Sequence, residues 1–225
     1  MTELANLSWP DVDQRPSDTV LVVPVGSTEQ HGPHLPLSTD TDIAEALCQR
    51  LAATATDVLV APPVAYGASG EHAGFPGTLS IGTEALTVLL VELGRSATET
   101  FRRLLLVSAH GGNAAAVARA TETLRSESRD VLSWSPRWRG DAHAGRVETS
   151  LQLALAPERV ATDHAHPGAL DPIADLMPTL RAHGVRAVSP NGVLGDPTEA
   201  SAAEGERVLA RLAEDLTSFV AQWPR

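Results

Sequence analysis

Hydrophobic positions along the chain come in two alternating styles. Residues 19–25 (Thr-Val-Leu-Val-Val-Pro-Val) are an unbroken run of apolar and β-branched side chains, as in strands covered on both faces. Residues 57–61, 103–108 and 130–134 repeat that style. Between them, apolar positions recur at helical spacing. Ile43, Leu47 and Leu51 stand four residues apart within 42–54. A second run, opened by Thr83 as a cap, carries Leu86, Leu89, Leu90, Leu93, Ala97 and Phe101. Asn113 is placed to cap a third, with Val117, Ala120, Thr121 and Leu124. Later helices are expected over 148–155, about 172–183 and 199–223. Strand and helix in alternation, joined by short connections, predict an α/β fold with three α/β/α layers and a mostly parallel sheet.

Two long irregular stretches break the rhythm. Residues 62–82 are rich in Gly and Pro and hold Tyr66, Glu71, His72 and Phe75. Residues 156–172 hold Asp163, His164 and His166. Such loops inside a compact domain more often serve function than merely connect. With no repeat, linker or low-complexity tract, residues 1–225 read as one domain.

Composition narrows the class. With 43% hydrophobic and 20% charged residues, the chain is neither disordered, collagen-like nor coiled coil. No apolar run approaches the ~20 residues of a membrane helix. The stretch from Met1 to Asp13 has acids and no apolar core, so a signal peptide is not expected. Net charge is -11, and all 17 basic residues are Arg without a basic stripe, which argues against nucleic acid or anionic membrane as partner. The single Cys48 can form no internal disulfide, which favours a reducing, cytoplasmic setting.

Candidate chemistry gathers where predicted strands end. Residues 26–42 (Gly-Ser-Thr-Glu-Gln-His-Gly-Pro-His-Leu-Pro-Leu-Ser-Thr-Asp-Thr-Asp) follow the first strand, at the end where open α/β sheets bind ligands. Glu29 and His31, one residue apart, share a side of an extended segment. Asp40 opens the next helix, near enough for the loop to fold it back. Glu, His and Asp offer the oxygen and nitrogen donors that Zn²⁺, Fe²⁺ or Mn²⁺ accept. The competing reading is a solvated polar turn in which Asp40 caps a helix. His110, within 107–113 (Val-Ser-Ala-His-Gly-Gly-Asn), again stands between strand and helix, and recurrence at separate strand ends weakens the view of each as a stray turn residue.

A third piece, 143–150 (His-Ala-Gly-Arg-Val-Glu-Thr-Ser), offers His143 and, in a first helical turn, Glu148, whose alternative role is to meet the helix dipole. A fourth, 70–80, offers Glu71 and His72 in the long loop. Arg137, Arg139 and Arg146 stand near the third piece, either gripping a carboxylate or as solvated surface charges. Cys48 lacks a suitably spaced His, no glycine fingerprint for phosphate follows the first strand, and no Gly-x-Ser-x-Gly elbow occurs. Metal-assisted hydrolysis is the class these residues support best.

Taken together, 26–37, 75–80 (Phe-Pro-Gly-Thr-Leu-Ser), 110–113 (His-Gly-Gly-Asn) and 148–150 (Glu-Thr-Ser) resemble the creatininase family of dinuclear metal amidohydrolases. The resemblance implies Glu29, His31, Asp40 and His110 as metal ligands, with Asp40 bridging two ions per subunit, Fe²⁺ or Zn²⁺. It also implies a creatininase-like α/β fold and a ring-like homo-oligomer. Glu71, Glu148, His72 and His143 are the catalytic candidates: either Glu moves the proton, and either His orients substrate or steadies an oxyanion. One departure stands out. Where creatinine-hydrolysing members carry a metal-holding Glu two residues after the His, this chain has Gly112, so a ligand must come from elsewhere, Glu148 among the options. Ser108-Ala109 replaces a common Asn-Gly. Segments 65–72, 80–86, 192–198 and 202–205 resemble members that cut a short, modified precursor peptide, removing a C-terminal Val-Tyr dipeptide on the way to a redox cofactor. The alternatives are a small formamide or cyclic amide as substrate, and a purely structural metal site. The absence of Cys among the donors speaks against the last.

Overall fold

The computed structural model describes residues 2–138 and 140–223. Its elements run, in chain order, α1 Trp9–Asp13, β1 Val20–Val25, α2 Thr39–Thr54, β2 Val58–Val60, α3 Gly82–Ala97, β3 Arg103–Ser108, α4 Ala114–Ser126 and β4 Asp130–Trp134. Then follow α5 Arg146–Leu155, α6 Ile173–His183, α7 Val185–Val188 and α8 Ala202–Ala221. The expected α/β class holds. The four strands form one sheet in the order β2-β1-β3-β4, and every pairing is parallel.

The apolar runs become strands because both sheet faces are covered. From β1 and β3, Val20, Val22, Leu105 and Val107 turn to one side, against side chains of α2, α5 and α8 such as Leu47, Leu151 and Leu209. Leu21, Val23, Val25, Leu104 and Leu106 turn to the other, against Leu86 and Leu90 of α3 and Val117 and Leu124 of α4. The period-two alternation of side chains thus feeds two separate cores. Cys48, which the sequence attaches only loosely to its apolar face, is fully buried in the first of them, where burial pushes its thiol pKa up and leaves it no reactive role. Trp223 closes the far end: its indole Nε1 donates to Asp130 Oδ1 at 2.8 Å, at the start of β4.

Several boundaries shift. Thr83 is no cap, because the helix already begins at Gly82. Asn113 stands at the cap position of α4 but makes no side-chain cap bond. The last helix begins at Ala202, where Ser201 Oγ accepts from Glu204 N, not at Glu199. The two long loops hold short 3₁₀ turns at Gly70–His72, Pro157–Arg159 and Thr162–His164. Among the described residues, no helix is long and apolar enough to cross a membrane.

Strand order fixes where a ligand can bind. From β1 the chain crosses to β2 on one side, whereas β3 lies on the other, so the order reverses between β1 and β3. Val25 pairs with Ser108, so both strands end at one level and their following loops leave side by side. That crevice is where open parallel sheets take ligands.

The α5–α8 packing supports a stability test. A Cβ on Gly205 would stand 1.8 Å from the Ser150 carbonyl oxygen, so α8 passes α5 at backbone distance. Gly→Ala inside a helix ordinarily gains about 1 kcal/mol. Here Gly205→Ala is expected to cost about 1–3 kcal/mol through overpacking, read as a lower urea midpoint.

Candidate metal centre

Glu29, His31, Asp40 and His110, distant in sequence, meet in the crevice, all 7% exposed or less. The first three ride on the loop after β1 and the first turn of α2, and His110 on the loop after β3. Asp40 divides its carboxylate: Oδ1 lies 3.4 Å from His31 Nε2, and Oδ2 lies 3.3 Å from His110 Nδ1. Ser27 Oγ donates to Asp40 Oδ2 at 2.6 Å and fixes its rotamer. Glu29 Oε2 lies 3.1 Å from His110 Nε2, and Glu29 Oε1 lies 3.3 Å from His72 Nε2.

The remaining candidates close around these four. Glu148 is buried in α5, accepts a 2.6 Å hydrogen bond from Ala144 N, and brings Oε2 to 3.9 Å from His31 Nε2. His143 Nδ1 is 3.8 Å from Glu29 Oε1. Glu71, in the turn that also carries His72, brings Oε1 to 3.5 Å from His110 Nε2 and is the one partly exposed carboxylate of the group. A side chain on Gly112 could not coexist with this arrangement. Its Cβ would fall 2.3 Å from Ala68 O, 2.4 Å from His110 Nε2 and 2.5 Å from Glu71 Oε1. The Glu71 carboxylate therefore stands where a side chain at 112 would begin.

Charge and burial pull against each other here. Burial, then the charge of Asp40, pushes the Glu29 carboxyl up to about 7. Burial disfavours charged His31, but Asp40, with Glu148 and Glu29 beyond it, overcomes this and pushes it up to about 10. Likewise burial opposes charged His110, and Asp40 and Glu29 push it up to about 9. Asp40 is held well below the ordinary carboxylate range: burial alone would raise it, and the two imidazoles outweigh burial. Burial, aided by His31 and His110, lowers His72 to about 3, so its ring is neutral.

Both oxygens of Glu29 and Nε2 of His31 are buried without a hydrogen-bond partner. Such atoms are costly unless a proton or cation meets them. Three sets of donors have ligand atoms within 4.8 Å of one another: Glu29 with Asp40 and His110; His31 with Asp40 and Glu148; Glu29 with His31 and His143. Asp40 is common to the first two. Buried carboxylates and imidazoles whose lone pairs converge, with no thiolate among them, suit a divalent ion of the zinc, iron or manganese kind.

The centre opens into a cavity of about 840 Å³. Asp40, His110, His143 and Glu148 line it, with apolar side chains of Trp138, Ile173, Met177 and Leu180 beside the charged Asp141 and Arg181. Arg137 also lines it, whereas Arg146 is tied to Glu199 and Glu204 on the surface, and Arg139 lies outside the described residues. His164 and His166 are exposed and belong to none of the donor sets. Sequence reasoning passed over Ser27 and Gln30, which hold the site from behind, and the apolar side chains of α6 in the cavity, and it gave Asn113 only a capping role.

The family model described as "Creatininase: Creatinine amidohydrolase" matches residues 5–220. The "Mycofactocin precursor peptide peptidase" of Mycolicibacterium smegmatis is 53% identical over 211 residues, covering 91% of this chain and 85% of that protein. The "Creatinine amidohydrolase" of Pseudomonas putida is 31% identical, covering 92% and 91%. The solved structure of a creatininase mutant described as "Zn-Zn type" superposes with a TM-score of 0.83 at 28% identity, over 100% of this chain and 99% of that one.

Asn113 braces the site. Its Oδ1 accepts from Ala68 N and its Nδ2 donates to Gly26 O, both at 2.8 Å, joining the loop after β1 to the 62–82 loop. Asn113→Ala is expected to lower stability by about 1–3 kcal/mol for each buried group left unpaired, measured by denaturant unfolding of the metal-free chain.

Proposed function

The chain belongs to the creatininase family, and from that membership we propose that it is a metal-dependent peptidase, cleaving the modified C-terminal Val-Tyr dipeptide from the mycofactocin precursor peptide. It is a hydrolase of C–N bonds, as its relatives' names state. The observation that carries the metal is the buried, unpartnered pair of Glu29 oxygens facing imidazoles at 3.1 and 3.3 Å. The observation that favours a peptide is the large cavity, partly lined by apolar side chains and roomier than a creatinine-sized amide needs. A small formamide or cyclic amide remains the alternative substrate.

In this reading Glu29, Asp40 and His110 would hold one ion, and His31, Asp40 and Glu148 would hold a second. Glu148, buried and anchored to Ala144 N, thus takes the ligand role left open by Gly112. Bound divalent ions would polarise the scissile carbonyl and lower the pKa of water toward neutrality. The protein supplies the rest. Glu71 Oε1, beside His110 and open to the cavity, takes the proton released as water adds to the carbonyl carbon, then delivers it to the leaving amine nitrogen. His72 steadies the oxygen on which negative charge develops, and His143 helps to orient the substrate. Trp138, Met177 and Leu180 exclude water around the leaving dipeptide. A cytoplasmic, ring-like homo-oligomer of single-domain subunits completes the proposal.

Metal removal tests it. Chelation should abolish hydrolysis of the modified peptide, with Fe²⁺ or Zn²⁺ restoring it; full turnover by the stripped chain would exclude the mechanism. His31→Ala should bind fewer ions per chain by elemental analysis. Glu71→Gln should keep its metal content while kcat falls on the order of 10²–10⁴-fold, the usual worth of a proton-transfer group.

A further inference from the structure

Between Glu29 and His31 lies a side chain with four polar neighbours. Gln30 is 4% exposed. Its Oε1 accepts from Gly32 N at 2.8 Å, and its Nε2 lies 3.0 Å from Gly192 O. A backbone N–H can only donate and a carbonyl can only accept, so these two contacts fix which end of the amide is oxygen and which is nitrogen. The same Nε2 lies 2.9 Å from His72 Nδ1 and 3.0 Å from His143 Nε2. With one hydrogen committed to Gly192 O, a single hydrogen is left for two rings.

The backbone of Gln30 decides between them. Its carbonyl oxygen lies 2.8 Å from His143 Nε2. That nitrogen must carry a proton, because a lone pair there would face the carbonyl lone pairs. It therefore cannot accept from the amide, and the second amide hydrogen goes to His72 Nδ1. With its Nδ1 accepting, the His72 ring carries its proton on Nε2, because an imidazole never lacks both protons. The three hydrogen bonds of the amide and the one from His143 Nε2 to the carbonyl are then satisfied in one way only.

We propose that Gln30 is a positioning residue that places a proton on Nε2 of both adjacent histidines, His72 and His143, which face Glu29 through different nitrogens. The consequence appears on Glu29, whose Oε1 meets both rings, 3.3 Å from His72 Nε2 and 3.8 Å from His143 Nδ1. His72 presents a donor to that carboxylate and to the cavity. His143, its Nε2 proton engaged by the Gln30 carbonyl, turns Nδ1 toward the same oxygen, within reach of the donor set it forms with Glu29 and His31. One amide thus makes one ring a hydrogen-bond donor and its neighbour, with ring centroids 4.4 Å apart, a candidate ligand. This deepens the metal-hydrolase reading and rests on it for its catalytic meaning, but the proton positions belong to the metal-free chain.

The experiment is ¹⁵N NMR of full-length, metal-free protein carrying ¹⁵N-labelled histidine, with signals assigned through single His→Gln variants. The expected spectrum shows His72 protonated on Nε2 and His143 protonated on Nε2. In Gln30→Glu, an oxygen accepts where the amide donated, so the His72 proton is expected to move to Nδ1. Zinc affinity of that variant, measured against a competing chelator, is expected to fall about 10–100-fold, the usual effect of losing an outer-shell partner. A wild-type spectrum with either ring protonated on Nδ1 overturns the proposal, as does a Gln30→Glu spectrum unchanged at His72. Should the variant fail to fold, the wild-type spectrum alone decides. A switched spectrum with unchanged zinc affinity upholds the tautomers and removes their link to metal.

Discussion

A carboxylate buried with neither oxygen hydrogen-bonded is the constraint around which this molecule is organised. Desolvating a charge costs several kcal/mol unless an opposite charge or a proton answers it, and imidazoles turn toward Glu29 from three separate segments. His110 comes from the end of β3, His72 from the long loop and His143 from the approach to α5. Asp40, held low by two of the rings it faces, and Glu148, held by Ala144 N, complete a set of negative groups gathered at a depth where solvent cannot screen them. A fold tolerates such a concentration when a cation forms part of its working state.

The sheet makes the gathering possible at little conformational cost. Because β1 and β3 are neighbours in register, the loops that leave Val25 and Ser108 need no long excursion to meet. Asn113 fastens two of them through backbone groups, and Ser27 fixes Asp40 from behind. The donors are thus held by rigid elements on the floor, while Glu71 sits in a short 3₁₀ turn and alone remains partly open to the cavity. That difference in burial separates groups suited to holding an ion from the one suited to exchanging protons with a substrate.

Much of this was legible in the residues. Strands covered on both faces write themselves as continuous apolar runs, and β3 and β4 match the runs at 103–108 and 130–134. Helix starts were harder to read. The first turn of α2, Thr39-Asp40-Thr41, is polar because it faces the centre, so apolar spacing begins only at Ile43. Asn113 looked like a cap, yet its amide is committed to two backbone groups across the crevice. All eight candidate donors and acids come together because acids and imidazoles at strand ends are distinctive. Gln30 and Ser27 are residue types that occur anywhere on a surface, and only their neighbours reveal them. The cavity side chains of α6 left no trace, since apolar side chains facing a cavity and those filling a core follow the same period.

The competition at Gly112 has a consequence for how such sites diverge. A side chain there and the carboxylate of Glu71 would claim one volume, although the two positions are 41 residues apart. Neither position is free to change alone: a larger residue at one evicts the other, and losing the acid leaves a void that glycine cannot fill. A substitution at either position therefore has to be matched at the other, a steric coupling between two stretches of chain that are remote in sequence.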